Sequence, residues 1–300
     1  MLRSIPFACA LLALAGPVLF CQSNLAAAPA AREASRDEAV EIRWHTDYGQ
    51  ALNEARGEGK MLLLHFYDPS DRLSEGFEAD TLKDPMIVSK LQDYVCAELP
   101  LDTKITIDGN ESTLLEHNVF REMLGRPGVA ILDFADREAP YHGCVVSTFP
   151  LTEELSYPAE RMAVILDLPP GTLTQRTLIY AVRIHPDRPS STEGRIDANL
   201  VQEAESHSRY QARIHLQGHH HWSTRFHRIN AKLPAGLTAC EVAAESWPGE
   251  RLVEAAIECV RCWRFSAGHW SAVSAYHDFY GYDMKRGSNG IWYATGIFGG

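Results

Sequence analysis

The chain has 300 residues, enough for two ordinary domains. Its 45% hydrophobic and 22% charged residues are those of a folded protein with a substantial core. A formal net charge of −11 provides no electrostatic footprint for nucleic acid, which excludes that class of partner.

Residues 1–30 do not read as fold. Arg3 precedes the apolar run I-P-F-A-C-A-L-L-A-L-A-G-P-V-L-F, and polar Q-S-N and small residues follow it. That order is a secretory signal peptide, with a short polar lead-in over 31–40. The run is too short for a comfortable membrane span, and no other segment could cross a bilayer. The expectation is therefore an exported chain, periplasmic, secreted or at the cell surface, and not transmembrane. Val18-Leu19-Phe20 before Cys21 lacks the small residue that lipobox cleavage favours, so no lipid anchor is expected there. Loss of Cys9 and Cys21 leaves Cys96, Cys144, Cys240, Cys259 and Cys262. An odd number in a chain this large gives no disulfide framework.

Charge divides the remainder. Residues 41–155 hold 22 acidic and 10 basic residues, whereas 156–300 hold 14 and 15, with nine of the thirteen histidines. Such asymmetry predicts two domains, over 41–155 and 172–300. The linker is 156–171, where L-D-L-P-P-G reads as a strand end and turn because Pro169-Pro170 bars a helix.

In the first half, Tyr48–Arg56 is predicted helical, with Ala51, Leu52 and Ala55 on one face. M-L-L-L-H-F-Y at 61–67 is a continuous apolar run ended by Asp68-Pro69, as a strand buried on both faces should be. Helical spacing follows over 73–82 and over 86–92, the latter opened by Asp84-Pro85 as cap and first-turn residue. A strand is predicted at 94–101, a helix at 111–123 and a strand at 128–134, with Tyr141–Ser147 pairing as a hairpin. The alternation is an α/β layer.

H-F-Y-D-P-S-D-R-L-S-E-G-F-E-A-D-T-L, followed by D-P-M-I-V, resembles the strand, active-site loop and long helix of the thioredoxin-like family. G-R-P-G-V-A-I-L-D-F resembles that family's cis-proline loop and third strand. The resemblance implies a thioredoxin-like domain with Pro127 as the cis-proline candidate. The family's Cys-x-x-Cys positions hold Asp71 and Ser74 here, so there is no thiolate to attack and no thiol–disulfide exchange is expected.

In the second half, helices are predicted at 172–185 and 197–216, the latter with Leu200, Ala204, Ser208 and Ala212 along one face. Q-G-H-H-H-W follows, helical again towards Ile229. Leu237–Ala244 has short-strand character. Gly249–Phe265 is amphipathic, with Leu252, Val253, Ala256, Val260 and Trp263 at three- and four-residue steps. The aromatic, β-branched segments 276–284 and 290–298 predict a terminal antiparallel pair. Helices first and strands last suggest an α-β-α sandwich.

W-R-F-S-A-G-H-W, Y-G-Y-D and I-W-Y-A-T-G-I-F, preceded by E-A-E-S-H-S-R-Y-Q-A and G-H-H-H-W, resemble the CAP superfamily of SCP-like, pathogenesis-related proteins over 172–300. Gly268 is read as ending the long helix, so that His269 opens the next and faces a cleft. The resemblance implies a cleft lined by two histidines and two acids, the histidines holding a divalent metal in some members. His269 is one, and one of His219, His220 and His221 is the other; the metal pair implied is His220 with His269. The acid before the long helix is Glu245 by spacing, with Glu241 earlier on the same alternating strand. The family's second acid has no match, since Phe265 and Ser266 stand in its place, and its H/N-x-x-R-like start is missing from the first helix. Imidazole suits a borderline cation such as zinc, and no other cofactor is implied.

Cys259 and Cys262 share a helix face, suited to metal or a bridge, but small buried hydrophobes are the better reading. No G-x-S-x-G, P-loop, H-E-x-x-H or dinucleotide fingerprint occurs. The expected function is an exported binding protein whose CAP-like cleft takes a ligand or divalent metal, joined to a non-redox thioredoxin-like scaffold. The ligand's class, whether small molecule, lipid, peptide or glycan, is open. The alternative is a metal-assisted hydrolase with a glutamate base.

Overall fold

Seven residues at 61–67 explain the first sheet. In the computed structural model, which describes residues 41–300 apart from Asp108, they form strand β2 (Met61–Tyr67), following β1 (Trp44–His45) and helix α1 (Tyr48–Glu58). The signal-peptide and lead-in readings lie outside the described residues. β2 pairs in parallel with β3 (Tyr94–Pro100) and antiparallel with β6 (Gly128–Leu132), giving the order β1-β3-β2-β6-β7, with β7 at Val145–Pro150. Its apolar run is continuous because both faces are covered. Leu62, Leu64 and Phe66 meet Ala51 and Ala55 of α1, while Leu63 joins Phe77, Ile87 and Leu91 on the other side.

That second side is made by α2 (Arg72–Gly76), a wide π-helical turn at Phe77–Leu82, and α3 (Pro85–Leu91). Asp84 caps α3 by accepting from the Met86 amide at 2.8 Å, with Pro85 in the first turn as expected. The helix predicted at 111–123 is not formed. A small hairpin, β4 (Lys104–Ile107) with β5 (Asn110–Thr113), takes its start, and two 3₁₀ turns, Leu114–Glu116 and Asn118–Met123, take the rest. Thr and Ser at 112–113 favour extended backbone and a cap over a helix interior.

The second sheet has the order β8-β10-β11-β9, from β8 (Arg195–Ile196), β9 (Ala239–Glu245), β10 (Phe279–Arg286) and β11 (Trp292–Gly299). Helix α6 (Ala198–Ile214) crosses one face, its cap Asp197 accepting from the amides of Asn199 and Leu200. A Cβ at Gly281 would lie 2.3 Å from the Val201 amide nitrogen, so glycine there lets the α6 backbone rest directly on β10. Helices α5 (Leu173–Arg183) and α8 (Leu252–Arg264) share a hydrophobic cluster with Tyr280, Tyr282 and Met284 of β10, with Trp263 fully buried among them.

L-D-L-P-P-G proves to end a helix, not a strand: α4 (Ala159–Leu166) occupies half of the linker segment and Asp167 caps it. Pro169-Pro170 stops this helix. The buried Arg176 of α5 pins the turn, its Nη1 donating to the Leu168 and Pro169 carbonyls at 2.8 and 2.9 Å and its Nε to Ser147 of β7. One apolar cluster runs from Leu63 and Phe149 through Met162, Leu178 and Trp263 to Phe298, and the described residues group as one compact unit. The whole is a mixed α/β protein with two main sheets and helices against both.

Candidate functional site

The residues singled out in the first half have structural duties. Asp71 caps α2, accepting from the Leu73 amide at 2.8 Å, and the buried Ser74 hydroxyl accepts from the Asp68 amide at 3.2 Å. No peptide bond among the described residues is cis, so the Arg126–Pro127 bond is trans, contrary to expectation. The turn is carried instead by Gly128 at φ 137, where a Cβ would sit 2.2 Å from the Phe149 carbonyl oxygen. Pro127 contributes its carbonyl, which accepts from the Leu151 amide at 2.7 Å.

In the second half, a polar cluster forms where four elements meet. Glu241 on β9 points inward, its side chain 1% exposed. His207 comes from α6, Arg225 from α7 (Trp222–Asn230), and His219 from the loop between them. That loop is tied down by Gln217, whose amide donates to the Ala243 carbonyl at 3.0 Å. The Gly218 amide donates to Gln211 at 3.1 Å. His269 arrives on α9 (Ala267–Ser274).

The break before α9 differs from the expected one. α8 ends at Phe265, and Ser266, at φ −107 and ψ 108, is the extended residue that separates the helices. Gly268 lies inside the first turn of α9 and is not at positive φ. It leaves open space beside His269 rather than turning the chain. Of the two tryptophans, Trp263 is core, and Trp270 is half-buried against the His185 ring at 4.7 Å.

Nε2 of His219 and Nε2 of His269 face each other at 3.0 Å, and Nδ1 of His219 lies 3.0 Å from Oε1 of Glu241. A carboxylate only accepts, so His219 donates from Nδ1 and its Nε2 carries the lone pair turned to His269. The other oxygen of Glu241 is paired with Arg225 Nη2 at 2.5 Å and has Nδ1 of His207 at 3.5 Å. Burial alone would raise the Glu241 carboxyl. The bond from His219, the neighbouring His207 and the Arg225 guanidinium outweigh it and hold the group below the usual carboxylate range. His207 is depressed to about 4, chiefly by burial, and Nδ1 of its neutral ring lies 3.1 Å from the Thr295 hydroxyl. Burial, with His219 close by, also lowers His269. Neutral rings at His207 and His269 and an ionised Glu241 are the protonation states these surroundings favour.

The predicted pair is thus repartnered. His219 meets His269, whereas His220 turns its Nε2 to the Leu216 carbonyl at 3.1 Å and packs beside Tyr210. His221 stands just before α7 in the left-handed region at φ 55, with Nε2 3.3 Å from the Tyr210 hydroxyl. Glu241 lies behind His219, while Glu245, at the strand end, is exposed. Neither His207 nor Arg225 was singled out beforehand. His207 had a signal, being three residues after Ala204 and seven after Leu200 on the buried stripe of α6. Arg225 had none, since one arginine in R-F-H-R says nothing of which faces inward.

A cation at this site fits the residues. Two imidazole nitrogens, each about 2.0–2.1 Å from a tetrahedral ion, stand about 3.3 Å apart, so the pair needs only a few tenths of an ångström of opening. Glu241, bonded to the far nitrogen of His219, orients that ring rather than sharing the ion. Two protein ligands leave positions open for water or a ligand's own donor atoms. A cleft of about 1010 Å³ lies elsewhere, lined by Tyr48, Leu52, Thr103, Phe120 and Val145 among others.

No protein-family model and no curated protein matches the chain. Among solved structures, a thioredoxin from Thermus thermophilus is similar over 42% of this chain and 85% of its own, at 22% identity and a TM-score of 0.30. No described helix is long and apolar enough to cross a membrane.

Proposed function

We propose that the chain is an exported binding protein whose His219–His269 pair takes a divalent cation such as zinc, alone or as the anchor of a ligand. In this reading residues 172–300 form a CAP/SCP-like domain and 41–155 a thioredoxin-like scaffold without redox chemistry. The observation that carries it is the meeting of two ε nitrogens at 3.0 Å, with Glu241 fixing the tautomer that points a lone pair into the gap. Carboxylate, imidazole and open position in that order are how proteins orient metal-binding histidines. The cation would draw ligand oxygens or nitrogens to its free positions, while Glu241 keeps its place beneath.

Binding is favoured over metal-assisted hydrolysis because Glu241 is committed. Both oxygens are buried, one against His219 and one against Arg225, and its carboxyl is held ionised by them. A general base must be free to take a proton from water at the site, and Glu241 faces away from the open side. The scaffold reading rests on Asp71 and Ser74, whose side chains serve as helix cap and buried acceptor. Burial pushes the Cys96 thiol up to about 12, far from a nucleophile's range. Zinc titration of the chelator-treated protein, beside His269→Ala, tests the proposal: the native protein should bind with one equivalent more than the variant.

A further inference from the structure

The paired strands β2 and β3 and the turn between them carry a second cluster of ligating groups, within 65–98 of the chain and remote in sequence from the histidines at 219 and 269. His65 and Glu98 are register partners across the parallel pair, so their side chains emerge on the same face of the sheet. Glu78 reaches the same point from the π-helical turn that begins at Phe77. One ligand atom from each of His65, Glu78 and Glu98 lies within 4.8 Å of the other two.

The His65 ring is fully buried, enclosed by Phe77 at 5.6 Å and by Trp44 and Tyr67 at 6.2 Å each. Neither of its nitrogens has a hydrogen-bond partner among the described residues; Oε1 of Glu98 is 3.6 Å from Nδ1. A buried polar group left unpaired is destabilising, and two carboxylates held this close repel one another. Both unfavourable features vanish if a cation sits among the three. The carboxylates are half-buried, Glu98 being 36% exposed, so the cluster has an entrance from solvent with its imidazole at the floor.

We propose that His65, Glu78 and Glu98 form a second metal site, for a borderline divalent ion of the zinc type. One imidazole and two carboxylates make a three-ligand set with room for water, which suits zinc, cobalt or manganese. Calcium wants six or more oxygens and magnesium an octahedron of them, and the cluster offers neither. Lys83, close enough to Glu98 to act on its charge, tempers the affinity and keeps the metal-free cluster tolerable. The site does not depend on the His219–His269 reading: it lies on other strands and uses other residues.

The experiment uses the full chain carrying His219→Ala and His269→Ala, stripped with a chelator, so that the other cluster cannot contribute. Cobalt(II) alone, followed by visible absorption, and zinc alone, followed by calorimetry, should each report one equivalent bound. Glu78→Gln and Glu98→Gln, which alter half-exposed side chains and should spare folding, are each expected to weaken binding at least tenfold. His65→Gln should remove the nitrogen-ligand signature from the cobalt spectrum; where that buried variant fails to fold, the two glutamate variants decide alone. Absence of binding, or binding that both glutamate variants leave unchanged, would overturn the assignment and leave His65 as a packing residue beside Glu98.

Discussion

Replacing Glu241 by glutamine keeps its shape and removes its charge, and the structure sets the cost. The Arg225 guanidinium beside it is 9% exposed and sits 2.5 Å from Oε2. Removing one partner of a buried pair typically costs about 3–5 kcal/mol, because the other charge is left uncompensated. Two features place Glu241→Gln at the lower end, near 3 kcal/mol. The amide oxygen can still accept from His219, and the Glu203 carboxylate lies 3.8 Å from Arg225 Nε. Glu203 is itself committed to Arg228, at 2.6 and 2.7 Å, so it compensates only in part. A folded unit of this size loses about 2–4 °C per kcal/mol, so the melting temperature should fall by about 6–12 °C. Replacing both partners, Arg225→Met with Glu241→Met, should return stability to within about 1 kcal/mol of the native chain, since desolvation then disappears with the charges. Urea unfolding of the two variants measures both quantities. A single variant within about 0.5 kcal/mol of native, or a double variant worse than the single, would refute the reasoning.

Two further outcomes follow from the same packing. His207 has a folded pKa of about 4 against 6.5 for a free imidazole, so the unfolded chain takes up its proton first as pH falls. Its stabilisation is complete above pH 6.5, is lost as pH drops towards 4, and amounts to about 2 kcal/mol between pH 7 and 5; urea midpoints for His207→Gln should show a shallower acid slope. Gly281→Ala places a methyl 2.3 Å from the α6 backbone, which cannot yield as a flexible side chain would. Loss of several kcal/mol or of soluble protein is expected, read by thermal unfolding against Gly76→Ala, where the added Cβ meets nothing within 4 Å.

Legibility tracked the kind of signal. The strand at 61–67 and the helix at 252–264 were readable because continuous and 3.6-residue apolar patterns state which faces are buried. The 111–123 segment was not, since Leu114, Leu115, Phe120 and Met123 satisfy a helical spacing equally well as two 3₁₀ turns. For the cluster, the tripled histidines and Glu241 announced themselves by residue type. Which histidine faces His269 depended on His221 adopting φ 55 to open α7, a backbone choice that leaves no mark in H-H-H-W. Separate charge balances for the two halves likewise gave no hint that Arg176 of α5 bonds to Ser147 of β7, or that one apolar cluster holds residues of both halves.

The central claim is that His219 and His269 hold a cation together, and zinc-dependent melting tests it most directly. At zinc about a hundred times the dissociation constant the gain is about 2.7 kcal/mol, or roughly 5–10 °C for a unit of this size. The shift should fade at mildly acidic pH, because a protonated imidazole cannot coordinate. The Glu78→Gln, Glu98→Gln chain is the background for the measurement, so that His65 cannot supply a three-ligand site. There, His269→Ala should abolish the zinc shift and leave the metal-free melting temperature nearly unchanged. A His269→Ala chain that melts lower without zinc yet gains as much with it would contradict the claim and make His269 a packing residue.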